Sequence, residues 1–172
     1  MLFRSRVLAL GSAGSLDQDL EVGTLICPDD FYAPEVAPSF YRDTRGHSVP
    51  GFDSEWRRIV ISAWGSLTKT ELEDGGVYAQ TIGPRFETPA EVRALAEVAD
   101  MVGMTIAAEA VLAGEAALAY AAVCSVDNLA NGISDKPLTV DEYRRGRDKT
   151  AQTLAADLEF VLPALAKGLP GS

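Results

Sequence analysis

The chain has 172 residues, enough for one domain with a sizeable core, and its composition of 47% hydrophobic and 23% charged residues is that of a globular protein. A net charge of -10 makes nucleic acids and anionic membrane surfaces unsuitable partners, because both attract positively charged surfaces. No run approaches the roughly 20 apolar residues of a membrane span, and the first residues form no long apolar signal segment.

The N-terminal part of the chain predicts two short strands and a long loop. Arg6–Leu10 is an apolar run leading into the small-residue stretch Gly11–Leu16, which predicts a strand followed by a loop. Thr24–Cys27 predicts a second strand, and residues 31–50, which are aromatic, rich in proline and without periodicity, predict a long loop. The two cysteines, Cys27 and Cys124, lie in apolar runs, so we expect buried thiols in a cytoplasmic protein.

The middle of the chain predicts two helices around a strand. Asp53 can cap a helix whose apolar residues recur at helical spacing, namely Trp56, Ile59, Val60, Ala63 and Trp64. Two glycines then precede the strand Val77–Ile82. The segment Thr88–Glu91, with proline at the first helical position, predicts a second helix that begins with a capping box.

The remaining segments predict two strands and two helices. Asp100–Met104 and Ala119–Asp127 are apolar strand-like runs separated by an alanine-rich helix that extends to about Leu118. A second capping box at Thr139–Glu142 opens a last helix, whose core-facing residues are expected to be Tyr143, Leu154, Leu158, Leu162 and Leu165. The alternation predicts a single α/β domain over residues 1–172, with three layers and a mostly parallel or mixed central sheet flanked by helices.

Three unusual loops, "GSAG", "GPRFE" and "SVDNLANG", all follow predicted strands and could line one crevice. Small residues in the first loop let backbone N–H groups approach an anion or a flat ring, although plain turns use the same residues. In the second loop, Phe86 could stack on a heterocycle and Glu87 could accept hydrogen bonds from its N–H groups. The alternative is a core phenylalanine and a carboxylate that favours the positive end of a helix.

Two further strand ends carry candidate residues. Met104 is either core filler or a contact for a sugar, and the Thr105 hydroxyl could serve a sugar or an anion. Asp127 and Asn128 are either turn formers or a donor and proton carrier to a leaving-group nitrogen. His47 is the only histidine, so neither a metal site nor a serine-based triad is predicted.

Taken together, "VLALGSAGSL", "TIGPRFETPAEVRAL", "DMVGMTIAAEAVLA" and "YAAVCSVDNLANG" resemble the purine nucleoside phosphorylase and methylthioadenosine phosphorylase family, in order and in spacing. The resemblance implies a cytoplasmic pentosyltransferase of purine salvage. It would cleave purine nucleosides of the inosine and guanosine or the 5′-methylthioadenosine and methylthioinosine type to free purine and pentose-1-phosphate. Inorganic phosphate would be the co-substrate, and no cofactor would be needed.

The resemblance also implies roles for particular residues. Asn128, with Asp127 next to it, would hold purine N7 and act in catalysis as the base departs. By resemblance, the residues that would contact the base are Ala13, Gly14, Phe86 and Glu87. Those that would contact the ribose and its 5′ group are Met104, Val140 and Tyr143. Phosphate would be bound by the backbone of Ser12 and the hydroxyl of Thr105.

The sequence departs from the family pattern at its N-terminus. Family members typically have a longer N-terminal part, with a glycine-rich phosphate loop and an Arg-His pair that binds phosphate. We therefore expect a nucleoside phosphorylase-like fold without that part, completed by a longer protein, a partner chain or a homo-oligomer, which the resemblance makes a trimer or hexamer. A phosphate-independent nucleosidase and a non-catalytic purine-binding or scaffold subunit are the alternatives.

Overall fold

The computed structural model describes residues 5–135 and 138–167, in which one seven-stranded sheet carries helices on both faces. The strands are β1 (Arg6–Ser15), β2 (Leu25–Cys27), β3 (Asp30–Tyr32), β4 (Leu72–Asp74), β5 (Val77–Gln80), β6 (Met101–Gly103) and β7 (Ala119–Leu129). The helices are α1 (Ser54–Leu67), α2 (Pro89–Leu95), α3 (Ile106–Glu115) and α4 (Val140–Lys167), and a 3-10 turn spans Thr44–Gly46.

The sheet is mixed, with the strand order β3-β5-β6-β1-β7-β2-β4. The pairs β3–β5, β5–β6, β1–β7 and β2–β4 are parallel, whereas β1–β6 and β2–β7 are antiparallel. The predicted α/β class, with three layers and a mixed central sheet, is confirmed.

Strand β7 lies between two apolar layers, which explains its nearly continuous apolar sequence. Its even-numbered residues from Tyr120 to Val126 pack in the cluster that contains the apolar side of α3. Ala119, Ala121 and Val123 pack in a second cluster with α1 and α4. A strand covered on both faces needs apolar side chains at successive positions rather than at alternate ones. Cys27 and Cys124 are free and buried in these layers, as predicted.

Local signals at the predicted helix starts are confirmed. The Asp53 side chain accepts a hydrogen bond from Trp56 N at 2.8 Å. Both reciprocal bonds of a capping box join Thr88 to Glu91. The same pair of bonds begins α4, where Thr139 N donates to the Glu142 carboxylate at 3.2 Å and Glu142 N donates to the Thr139 hydroxyl at 3.1 Å.

Several predicted boundaries are wrong because they depend on pairing between distant segments. The predicted loop Gly11–Leu16 continues β1 as far as Ser15, because β7 pairs with it along the whole of its length. The predicted long loop contains the end of β3, and β4 had no separate sequence signal. Leu162, expected in the core, is 49% exposed on α4.

Among the described residues, most of β1 is paired on one side only, although it is an internal strand of the sheet. Strand β6 pairs with it only at Gly14 and Ser15. Between Arg6 and Ala13, the described structure therefore pairs β1 on the β7 side alone. Leu10 on this part of β1 is 48% exposed.

None of the described helices combines the length and the hydrophobicity that crossing a membrane requires.

Candidate functional site

A cavity of about 320 Å³ lies where the carboxyl ends of β1 and β7 meet the loops after β5 and β6. All predicted site residues except Asp127 and Val140 line it. The complete lining consists of Ser12, Ala13, Gly14, Pro84, Phe86, Glu87, Val102, Gly103, Met104, Thr105, Asn128, Ala130, Leu138 and Tyr143. The three segments predicted as loops, of which the first lies in β1 and the third begins in β7, thus border one crevice.

Glu87 is buried, 7% exposed, and the residue is held at one point on its side chain and one on its main chain. Its Oε1 accepts a hydrogen bond from the Thr81 hydroxyl at 2.5 Å. Its main-chain oxygen accepts one from Asn131 Nδ2 at 3.1 Å, and Asn131 lies just after β7. A carboxylate fixed in this way can accept hydrogen bonds from a ligand N–H group.

An aromatic pair forms one wall of the cavity. The rings of Phe86 and Tyr143 meet edge to face, with centroids 5.5 Å apart and an interplanar angle of 64°. Tyr143 lies on the first turn of α4, so the helix brings its ring to the loop that carries Phe86. Aromatic faces of this kind bind flat rings and apolar groups.

Asn128 ends the buried run of β7 and reaches the same cavity. Its Nδ2 donates to the main-chain oxygen of Leu129 at 2.8 Å, and an amide nitrogen carries a second N–H that a ligand can accept. Gly14 allows this close packing, because a Cβ there would lie 3.0 Å from Asn128 Nδ2.

The N-terminus of α3 forms another side of the cavity. Thr105 is its N-cap residue, exposed and without a side-chain capping bond. The Tyr78 hydroxyl accepts from Thr105 N at 3.4 Å, and burial raises the pKa of Tyr78 to about 12, so this hydroxyl stays neutral. Gly103 is required beside it, because a Cβ there would lie 2.1 Å from that hydroxyl and 3.0 Å from Ser12 O. Helix N-termini favour anions, since their N–H groups and dipole point outward.

The structure separates Asp127 from the cavity. Its carboxylate Oδ1 accepts from Ser125 Oγ at 2.9 Å and from the Thr150 hydroxyl on α4. Residues two apart on a strand share a face, so Ser125 and Asp127 both turn toward α4. Asp127 is also the extra residue where the register between β1 and β7 shifts. Val140, 54% exposed, likewise does not line the cavity.

Sequence reasoning missed the residues that support the site. Thr81 and Asn131 hold Glu87, yet neither sits in a pattern that links it to a carboxylate elsewhere in the chain. Asn131 belongs to the segment "SVDNLANG", but nothing in its spacing points to Glu87. Among the described residues, no three His, Cys, Asp or Glu side chains are grouped so as to hold a metal ion.

The molecule is an α/β protein whose cavity lies at the carboxyl ends of its strands, where open α/β sheets bind ligands. Residues 3–162 match the model of the phosphorylase superfamily, so the chain belongs to that superfamily.

Two of its curated relatives are archaeal proteins. The chain is 35% identical over 161 residues to a probable 6-oxopurine nucleoside phosphorylase of Archaeoglobus fulgidus, covering 94% of this chain and 65% of the relative. It is 36% identical over 168 residues to a probable S-methyl-5′-thioinosine phosphorylase of Methanopyrus kandleri, covering 92% and 65%. The chain thus spans about two thirds of the length of these relatives.

Solved structures share the fold. A Schistosoma purine nucleoside phosphorylase in complex with hypoxanthine superposes with a TM-score of 0.77 at 22% identity, covering 94% of this chain and 62% of that one. A methylthioadenosine phosphorylase from an antarctic soil metagenomic library gives 0.73 at 22% identity, covering 97% and 61%.

Proposed function

We propose that the protein formed by this chain is a purine nucleoside phosphorylase, which transfers the pentose of a purine nucleoside to inorganic phosphate. One observation carries the proposal: Glu87 and Asn128, far apart in sequence, line the same cavity beside an aromatic wall. That combination suits a flat nitrogenous ring with donors on one edge and an acceptor on the other.

The proposed base is a 6-oxopurine. Such a base carries a hydrogen on N1, which a carboxylate accepts, whereas N1 of adenine is itself an acceptor and would meet Glu87 lone pair to lone pair. The names of both archaeal relatives support this choice, since each describes a nucleoside of a 6-oxopurine. Ala13 and Gly14 would border the ring, and Phe86 would stack on it.

In the proposed reaction, a phosphate oxygen forms a bond to the anomeric carbon while the bond from that carbon to purine N9 breaks. The electron pair of the broken bond leaves with the purine. Asn128 would donate its second N–H to N7, a contact that strengthens as negative charge develops on the departing base. Glu87 would keep the base in the orientation that this contact requires.

The remaining groups of the substrate would occupy the rest of the cavity. Met104 would pack under the ribose, and Tyr143 would approach the 5′ substituent, where an apolar surface suits a methylthio group. The Ser12 backbone and the Thr105 hydroxyl would contact phosphate at the N-terminus of α3.

Two residues outside the cavity lining have supporting roles in this proposal. Asp127 would act on the substrate only indirectly, by fixing α4 through Thr150 and so fixing the ring of Tyr143. Val140 would approach only a 5′ substituent that extends beyond the cavity.

The phosphate side of the cavity supports a further part of the proposal. None of the described lining residues is Lys, Arg or His. Phosphate sites commonly use such cations. We therefore propose that a homo-oligomer, a partner chain or a longer form of this protein supplies them, in the cytoplasm, where the substrates are found. The same observation favours one alternative, a nucleosidase in which water replaces phosphate.

Purine release from inosine, guanosine, 5′-methylthioinosine and adenosine, each with and without phosphate, tests the function. Phosphate-dependent release from the three 6-oxopurine nucleosides, with little from adenosine, is the expected result. Release that does not require phosphate would support the nucleosidase, and purine binding without any release would support a binding subunit. A chain that neither binds nor cleaves these compounds would contradict the proposal.

A further inference from the structure

Among the described residues, the carboxylate of Glu87 accepts a side-chain hydrogen bond from Thr81 alone. The hydrogen bond from Thr81 Oγ1 to Glu87 Oε1 measures 2.5 Å. It engages one of the two carboxylate oxygens and leaves the other outside the bond. A second cavity, of about 500 Å³, is also lined by Glu87, together with Thr81. Glu87 thus borders two cavities, and the Thr81 hydroxyl fixes the direction of its carboxylate.

Thr81 is itself firmly placed. It directly follows β5, and its N–H donates to the main-chain oxygen of Gly103, the last residue of β6, at 3.0 Å. Its β-branched side chain has few favourable rotamers. The backbone bond and the restricted rotamers therefore fix the direction in which Thr81 presents its hydroxyl to Glu87.

Resting on the proposed function, we propose that Thr81 is a positioning residue that also sets purine specificity. At the edge that faces Glu87, hypoxanthine offers one donor, N1–H, whereas guanine offers two adjacent donors, N1–H and the 2-amino group. Two adjacent donors match both oxygens of a carboxylate. With Oε1 engaged by Thr81, the 2-amino group must share that oxygen and gains less, so the site accepts 6-oxopurines with and without a 2-amino group nearly equally.

Calorimetric titration of hypoxanthine and guanine into the full chain tests this inference. Thr81→Val removes the hydroxyl but keeps the β-branched shape, and Thr81→Ser keeps the hydroxyl. Thr153→Val, at an exposed position of α4, is the matched control. In Thr81→Val we expect the Kd of hypoxanthine to rise about tenfold and that of guanine to rise less. The ratio of the guanine Kd to the hypoxanthine Kd should then fall at least about threefold, and Thr81→Ser should restore both values.

An unchanged ratio in Thr81→Val would overturn the inference, even if both affinities fell, because a purely structural defect weakens both bases alike. Failure of Thr81→Ser to restore binding would overturn it as well. If the valine variant does not fold, as judged by circular dichroism, Thr81→Ala provides the same comparison. A chain of native sequence that binds neither purine would instead refute the proposed function, and the inference with it.

Discussion

At the residue scale, the candidate site combines one carboxylate and one amide that reach the same cavity from a loop and from the end of β7. Glu87 and Asn128 could be selected from the sequence because each follows an apolar strand, where polar side chains meet a crevice. Thr81 and Asn131 could not, because a hydroxyl that binds the Glu87 carboxylate and an amide that binds its main-chain oxygen leave no periodic signal and depend on the folded path of two loops. Asp127 was expected at the crevice because the strand was predicted to stop there, whereas β7 continues to Leu129 and its alternation turns Asp127 toward Thr150 on α4.

Replacing Glu87 by glutamine should weaken purine binding by about 1.5–3 kcal/mol, the range for a hydrogen bond to a charged group. Glutamine keeps the size of the side chain but removes the negative charge that would accept N1–H in the proposed complex. Titration of hypoxanthine measures the change. Glu97→Gln, at an exposed position just after α2, serves as the control and should bind as the native chain does. Equal affinity in Glu87→Gln would remove this carboxylate from the base site.

Replacing Asn128 by alanine should lower kcat about 100-fold and change KM little, because its proposed contact with N7 would gain strength in the transition state. Steady-state kinetics of phosphate-dependent inosine cleavage separate the two constants, in whichever assembly of the protein shows that activity. A raised KM with an unchanged kcat would mean that Asn128 only binds the substrate.

At the element scale, the helix starts were predictable and several strands were not. A capping box is formed within four successive residues, so the segments Thr88–Glu91 and Thr139–Glu142 each contain both partners of its hydrogen bonds. Strands β3 and β4 have three residues each and exist through pairing with β5 and β2, which lie far away in the sequence. The length of β1 was underestimated for the same reason, since glycines and serines join a strand when a long neighbour pairs with them.

Helix α4 lies directly on the backbone of β7 at Gly146. A Cβ there would lie 1.7 Å from Asp127 O, a backbone atom with little freedom to move. We expect Gly146→Ala to destabilise the fold by about 3 kcal/mol, the upper part of the usual range for overpacking, and to displace Tyr143. Urea unfolding measures the change. The control is Gly65→Ala in α1, where a Cβ meets no atom within 4 Å and alanine should stabilise the helix by up to about 1 kcal/mol.

The start of α2 should respond to acid. Hydrogen bonds from the Arg85 side chain and the Thr88 backbone lower the pKa of Glu91 to about 2 from its ordinary value of 4.5. A lowered pKa in the folded state contributes stability above pH 4.5, and that contribution is lost as the pH falls from 4.5 toward 2. Between these pH values, the melting temperature of Glu91→Gln should fall less steeply than that of the native chain. Parallel curves for the two proteins would show that this capping box does not contribute to acid stability.

At the scale of the whole molecule, the sheet and its two apolar layers were predictable as a class, because strands that alternate with helices can bury their apolar faces in few ways. The strand order was not predictable, since β2 pairs with β7 and not with its neighbour in sequence.

The thiols should report on opening of the whole molecule. Both cysteines are buried between the sheet and its helices, and burial raises the pKa of Cys27 to about 11 and raises that of Cys124 as well. The thiolate is the reactive form, so alkylation by iodoacetamide at pH 8 should be slow in the native protein and fast in urea. Mass spectrometry of labelled peptides measures both rates. Fast labelling of Cys124 in the native state would mean that β7 separates from its neighbours without global unfolding.

The open side of β1 has a consequence for handling the protein in solution. Within the described residues, β1 has no strand paired on this side between Arg6 and Ala13, and an unpaired strand edge is a template on which an extended peptide, including another copy of the same polypeptide, can add by hydrogen bonding. We therefore expect copies of the protein to associate at high concentration through the middle of the sheet, and Leu10→Lys to reduce that association in light-scattering measurements.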